Sequence, residues 1–384
     1  RANQRGVSKK IMSAKWQHRD EGKKVSKSVV RSKSTEELES ASKFLKGFLE
    51  LRKAEKLQKT YIHGTKKALA YNESEKLYVD YRLDGTATGR LSCAAYNAQK
   101  PMGVSFHTLP RETNTNIRSM FIAPKGSAFI TVDYAAMELR VLAHIAKEKS
   151  MQHAFNSGAD LHTYTARLLF SKEEITKQER QIAKTVSFLI VYGGGAFNLA
   201  ETMRIPMEKA EGIIKNYQKV YPGVFRYMEH VNEFIKSNGY AYTIFGRRRN
   251  LCDVRSKDRK VVNRALRQGL NFTIQSSASD ILLCGLIGVF RRLKEARLDA
   301  KVVATVHDSL EIISAEKDLK QTMEIVYDEL VNYPQLRSLF NINFDVPLAV
   351  DFEVGRSFGD GVPVSFDEGH PTNMPEVFEY LHEN

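Results

Sequence analysis

Cysteine is nearly missing from this chain: Cys93, Cys252 and Cys284 are the only three in 384 residues, far apart, with no CxxC pair and no histidine-rich neighbourhood. That excludes a disulfide framework and argues against a structural zinc site, so all three read as ordinary thiols. No run of about 18 apolar residues occurs, and no amino-terminal stretch joins a basic flank, an apolar centre and a small-residue cleavage site. The expectation is a soluble, intracellular protein with no membrane partner. The GxxxxGK[ST] phosphate loop of helicases and other motors is absent, as are internal repeats. Residue 1 is Arg rather than Met, which suggests a processed piece. Acidic residues are in deficit, with 45 Asp and Glu against 58 Lys and Arg, a formal charge of +13. Clustered cations gain free energy by displacing counterions from phosphates, which points to a polyanionic partner, nucleic acid ahead of an acidic membrane.

The chain length allows about two or three domains. Residues 1–33 are basic and rich in Ser and Gly without apolar periodicity, and read as a phosphate-seeking arm or a solvated terminus. From Thr35 the pattern predicts a long amphipathic helix to about Tyr61, with Glu36 and Glu37 in its first turn and Leu38, Phe44, Leu45, Phe48, Leu49 and Leu51 at near-helical spacing. Lys76–Leu83 alternates as a strand, and AFITV (Ala128–Val132) is a short β run ending at Asp133. Helices are expected from Met137 to about Ile235. Val302–Val306 and Leu310–Ile313 then flank His307, Asp308 and Ser309 as a tight hairpin. Strands on both sides of a helical insertion imply one sheet interrupted by a mobile subdomain.

Phosphoryl transfer to a sugar hydroxyl needs divalent cations about 4 Å apart, held by hard oxygen ligands. Asp133, at the end of an apolar strand, and Asp308, at the tip of an apolar hairpin, are placed to converge; each also suits a simple turn or capping role. Arg180, Lys184, Phe188 and Tyr192 recur every fourth residue, advancing about 40° per step along one helical face. Two cations followed by two rings suit a triphosphate, then a sugar and base. A helix with salt-bridged cations and buried rings fits the same spacing. Gly193–Gly195 read as its C-cap and hinge. Arg267, Asn271 and Gln275 also step by four, presenting hydrogen-bonding groups suited to minor-groove acceptors shared by all correct base pairs. Arg247, Arg248 and Arg249 follow Gly246 as a basic turn that would grip phosphates or simply be solvated.

Four segments in order resemble the motifs of the family A DNA polymerases: TATGRLS (Thr86–Ser92), VDYAAMELRVLAH (Val132–His144), RQIAKTVSFLIVYGG (Arg180–Gly194) and VHDSLEI (Val306–Ile312). The likeness runs from about residue 36 to residue 355 and implies an α+β right-hand fold with thumb, a palm built on an antiparallel sheet, and helical fingers. Its implied boundaries are a partial, basic thumb at 1–75, a first palm part at 76–149, fingers at 150–240 and a second palm part with the tail at 241–384. The implied activity is dNTP addition to a primer 3′-hydroxyl, with two Mg2+ ions, replaceable by Mn2+, held by Asp133, the Tyr134 carbonyl and Asp308. His162, Arg180 and Lys184 would meet phosphate, Phe188 the sugar, Tyr192 the template base, and Lys184 would protonate the leaving group. Glu138 would obstruct a ribose 2′-hydroxyl, with pairing to Arg140 as its plain alternative. Arg90, Arg247, Arg267, Asn271, Gln275 and His307 would meet primer-template DNA. Phe188 in place of Tyr implies poor use of nucleotides lacking the 3′-hydroxyl. An exonuclease, helicase or processivity factor on another chain is an implied partner.

Several residues depart from that pattern. Ser309 stands where the family usually has Glu, removing an acid near the metals; Ala135, Ala136, Ser187 and Leu189 are also unusual, and between Arg90 and Pro110 a divergent run that includes HTLP replaces an expected DPNLQNIP. These suggest a divergent phage or organelle type. A single-subunit RNA polymerase remains a rival, opposed by Glu138 and the TGR segment. A catalytically silent nucleic-acid binder is another, for which Asp133 and Asp308 would have no chemical purpose.

Overall fold

The structure, a computed structural model, describes residues 35–94, 103–110 and 117–383. The basic arm expected at 1–33 lies outside the described residues. Two compact units divide the chain, Arg1–Lys67 and Ala68–Asn384.

α1 (Thr35–Lys56) opens a helical run that passes through a π-helical stretch at Leu57–Ile62 into α2 (His63–Asn72). The run thus outlasts its expected end near Tyr61: Gly64 alone does not stop it, because Thr65–Ala70 is dominated by good helix formers. Phe44, Leu45, Phe48, Leu49 and Leu51 of α1 are exposed, with the Phe44 and Phe48 rings stacked at 6.5 Å.

The first strand of the second unit, β1 (Asp80–Arg82), pairs antiparallel with β2 (Ser92–Ala94). The strand expected over Lys76–Leu83 is therefore cut to three residues. Its start is lost to a turn in which Glu73 has φ 48° and the Asn72 amide donates to the Lys76 carbonyl. β3 (Ser127–Tyr134) is followed by seven helices: α3 (Met137–Ile145), α4 (Lys149–Asn156), α5 (Leu161–Phe170), α6 (Lys177–Val191), α7 (Ala196–Met203), α8 (Met207–Val220) and α9 (Pro222–Asn238). β4 (Tyr240–Tyr242) and β5 (Arg248–Asn250) make a small hairpin, and α10 (Arg259–Glu295) runs for 37 residues. That helix is long and apolar enough to cross a membrane, but 78% of its apolar window is buried inside the fold, so it serves as a core helix. β6 (Ala300–Val306), β7 (Ser309–Ala315), α11 (Leu319–Tyr327), α12 (Pro334–Phe340), β8 (Val350–Ser357), β9 (Asp360–Val364), the short pair β10 (Phe366–Asp367) and β11 (His370–Pro371), and α13 (Met374–Glu383) complete it.

One antiparallel sheet, in the order β6-β7-β3-β8-β9, joins the strand before the seven helices to the strands after them. Its faces differ, as the period of two along a strand requires. Ile130, Val132 and Tyr134, with Leu310, Ile312, Phe352 and Val354, form the core face. Phe129, Thr131 and Asp133 face the other way, so that surface grades from aromatic to acidic toward the end of β3 that leads into α3. This acidic end is where the candidate site lies.

Candidate active site

Two backbone features bring Asp133 and Asp308 together. Asp133 is the register partner of Ser309 in β7 and of Asp351 in β8. Asp308 belongs to the two-residue turn between β6 and β7, where His307 has φ 61°, and its carbonyl accepts a hydrogen bond from the Tyr134 amide at 3.2 Å. Ser309, expected at the hairpin tip, is instead the first residue of β7, opposite Val306. The Tyr134 side chain points into the core, its hydroxyl donating to the Leu330 carbonyl at 3.0 Å. Two carboxylates and the Tyr134 carbonyl are hard oxygen donors at one sheet end, a set that fits a divalent cation such as magnesium. Among the described residues no group of three or more His, Cys, Asp and Glu forms a ready ligand set. A cation here would take its remaining oxygens from substrate or water.

Glu138, in the first turn of α3, is 5% exposed and is the hub of the site. Arg90 Nη2 donates to it at 2.8 Å and to Asp308 at 3.2 Å; Gln275 Nε2 donates at 3.2 Å and the Tyr192 hydroxyl at 3.1 Å. Burial, with the Glu138 charge adding to it, pushes the Tyr192 phenol up to about 12, so it stays a donor. Arg140 is not the partner of Glu138. It donates to the carbonyls of Ala135 and Pro347 and lies over the Phe155 ring. Arg90 therefore neutralises two carboxylates at the junction of sheet and helices.

The cation-ring face of α6 is built with care at both ends. Thr176 and Glu179 form a capping box at its start. At its end Gly193, at φ 67°, closes a Schellman motif, with the Gly193 amide on Ile190 and the Gly194 amide on Leu189. Arg180 makes a two-pronged ion pair with Asp160, the cap of α5, both contacts at 2.9 Å. Burial raises the Asp160 carboxyl, but hydrogen bonds from Arg180 and Thr163 outweigh it and hold the acid well below its usual range. Lys184 is exposed one turn on. Phe188 is half-buried against His162, ring centres 5.9 Å apart. Burial, with Arg180 and Lys184 against Asp160, holds the His162 imidazole below its usual value, and its buried Nδ1 has no hydrogen-bond partner. A cleft of about 390 Å³ opens beside Leu189, Tyr192, Gly194, Asn198, Thr202 and Arg267.

On α10, Arg267 borders that cleft, Gln275 reaches Glu138, and the Asn271 Oδ1 is buried without a partner. The three arginines of the basic turn do not form one patch. Arg247 pairs with Asp280 of α10, Arg248 stacks on Tyr240, and Arg249 lies near Phe272 with a weak contact to Gln268. His307 stacks on His107 at 5.3 Å, and His107 in turn reaches the Thr305 carbonyl and the Tyr81 ring. Sequence reasoning passed over one residue, Glu311. It lies on the acidic face of β7, fully buried, and is held by Thr131 and Ser309 at 2.7 Å each. Its signal was visible: Ser309 and Glu311 are polar at alternate positions in the first half of β7, with apolar Leu310 and Ile312 between and after them.

Comparison with known proteins places this geometry. The family model DNA polymerase family A matches residues 8–360. The DNA polymerase I of Chloroflexus aurantiacus is 33% identical over 339 residues, 86% of this chain and 34% of that protein. The DNA polymerase I of Bacillus caldotenax is 35% identical over 313 residues, 80% of this chain and again 34% of the relative. The chain thus spans about a third of the length of these curated relatives. Among solved structures, the POL domain of Pol1 from M. smegmatis, in complex with DNA primer-template and dNTP, superposes with a TM-score of 0.73 at 29% identity, covering 85% of this chain and 56% of that one. The α+β fold is accordingly the right-hand polymerase fold.

Proposed function

The chain belongs to DNA polymerase family A, and from that premise we propose that it is a template-directed DNA polymerase that adds dNTPs to a primer 3′-hydroxyl. The observation that carries the reading is the meeting of Asp133 and Asp308 at one sheet end, with Glu138 and Tyr192 tying that end to the cation-bearing helix α6. The primer-template and dNTP bound to the M. smegmatis domain are the ligands proposed here. A right-hand division follows, with thumb at 1–75, palm at 76–149 and 241–384, and fingers at 150–240.

In this reading Asp133, the Tyr134 carbonyl and Asp308 hold two Mg2+ ions, which when bound activate the primer hydroxyl and stabilise the charge on the leaving oxygen. Arg90 leaves Asp308 for the minor groove of the primer-template as the site fills. Lys184 and Arg180 meet the triphosphate, Arg180 after giving up Asp160, and His162 offers a neutral imidazole to the same phosphates. Lys184 gives its proton to the departing pyrophosphate. Phe188 abuts the sugar, Glu138 fills the space that a 2′-hydroxyl would need, and Tyr192 gives way to the template base. Arg247, Arg267, Asn271, Gln275 and His307 line the path of primer and template.

Primer extension on a DNA template, with dNTPs and rNTPs compared, tests the proposal. Template-directed extension with dNTPs and little with rNTPs is expected. Preference for rNTPs would make the chain a transcriptase, and tight primer-template binding without extension would leave a silent binder.

A further inference from the structure

The acidic face of the sheet carries a buried charge that the proposed reaction does not use. Asp133 stands opposite Ser309, and two residues along Thr131 stands opposite Glu311. Registered partners share a face, so Glu311 is the diagonal neighbour of Asp133, and such neighbours lie about 7–8 Å apart with their Cβ atoms somewhat closer. Its carboxylate is held at both oxygens, by Thr131 Oγ1 from β3 and by Ser309 Oγ within β7. Ser309 directly follows Asp308 in the chain, so this contact ties Glu311 to both candidate metal carboxylates.

No salt bridge engages Glu311 among the described residues. Arg118 acts on it at longer range, with its guanidinium over the Phe358 ring at 4.6 Å. Phe358 belongs to a ring cluster with Phe106, Phe121 and Phe129 that occupies the dry end of this face. On the far side of β3, Asp351 and Glu353 share the face but are exposed. On the β6 side the Tyr81 phenol, which donates to the Thr305 carbonyl, also feels the Glu311 charge, so Glu311 is buried between aromatic rings and an acidic site. Burying a carboxylate without an ion-paired partner costs free energy, and the two hydroxyl contacts offset that only in part. A neutral residue would hold Thr131 and Ser309 equally well, so a purely structural role does not account for the acid.

We infer that Glu311 is a positioning residue for the divalent cation, holding Ser309 beneath the Asp133–Asp308 pair and adding its negative charge to their hold on the ion. This rests on the metal reading of Asp133 and Asp308 given above. The linkage follows from the same neighbours. Burial above all, with Asp133 adding to it and Thr131, Ser309 and Arg118 opposing, pushes the Glu311 carboxyl up to about 7. A cation at Asp133 reverses the contribution of that neighbour and favours ionised Glu311, so cation uptake releases a proton.

The test is Mn2+ binding, followed by electron paramagnetic resonance on the full chain after chelator treatment, without DNA or nucleotide. Glu311→Gln, which keeps the shape and both hydroxyl contacts, is expected to weaken binding about tenfold at pH 8 for a charge at this range. Asp133→Asn is the control for the site itself. Loss of binding in Asp133→Asn with unchanged binding in folded Glu311→Gln overturns the inference and leaves the metal reading standing. Unchanged binding in Asp133→Asn overturns both. A second readout needs no variant: at pH 7 the unaltered chain should release about half a proton per Mn2+ bound at the site, as a carboxyl titrating there requires. Release of none overturns the inference, and release that disappears in Glu311→Gln supports it.

Discussion

Replacing Glu311 by Gln should stabilise the protein, and only above mildly acidic pH. In the folded chain this carboxyl keeps its proton up to about 7, against an ordinary value of 4.5. The folded state therefore binds more protons than the unfolded state between those two values. Stability is fully present below the lower value and is lost as pH rises through the higher one. A shift of that size corresponds to about 3 kcal/mol at most, lost between roughly pH 4.5 and 8. Gln at this position carries no charge to desolvate, can accept from Thr131 and can donate to Ser309, so it escapes the penalty. Thermal unfolding in the presence of a chelator, from pH 4.5 to 8, would read the difference. The two proteins should melt together near pH 4.5, and the Gln variant should melt higher at pH 8, by about 5 °C for a unit of this size. Parallel melting curves across the range, or a Gln variant that is less stable at pH 8, would refute the buried-charge argument.

Three further outcomes are expected. Arg247→Ala leaves Asp280, whose side chain is 8% exposed, without its ion-pair partner; because Arg247 itself is partly solvated, the cost should be about 2 kcal/mol in denaturant unfolding, largely recovered in the Arg247→Ala, Asp280→Ala double variant. Lys184→Ala should slow single-turnover incorporation about 100-fold, the scale of one lost transition-state contact, and an effect confined to dNTP affinity would remove the leaving-group role. Phe188→Tyr should raise dideoxynucleotide use relative to dNTPs by about tenfold or more, the worth of one added polar contact, whereas equal use of both nucleotides by the unaltered chain would contradict the expectation.

The parts of the fold legible in the sequence were those written in a single period. β3 and the β6–β7 hairpin showed as apolar runs, and α6 announced itself through a four-residue repeat and a glycine end. Lys76–Leu83 misled because alternation says nothing about whether a partner strand is available, and only Ser92–Ala94 pairs there. The helix end near Tyr61 misled because a single glycine does not outweigh the helix formers around it. In the site, the candidate residues were identifiable one by one, but their present partners were not. That Arg90 bridges Glu138 and Asp308, that Arg180 lies on Asp160 and that Arg247 lies on Asp280 depend on tertiary approach across up to 218 positions of sequence. Glu311 escaped notice for the opposite reason: the Ser309 departure drew attention to a missing acid, while the acid two residues further along the same face was already there.

The most direct measurement is single-turnover incorporation of one dNTP on a primer-template, with binding measured in parallel, for the unaltered chain and for Asp133→Asn and Asp308→Asn. The account predicts that all three bind primer-template, while both variants lose incorporation by several orders of magnitude. Incorporation near the unaltered rate in either variant would contradict it.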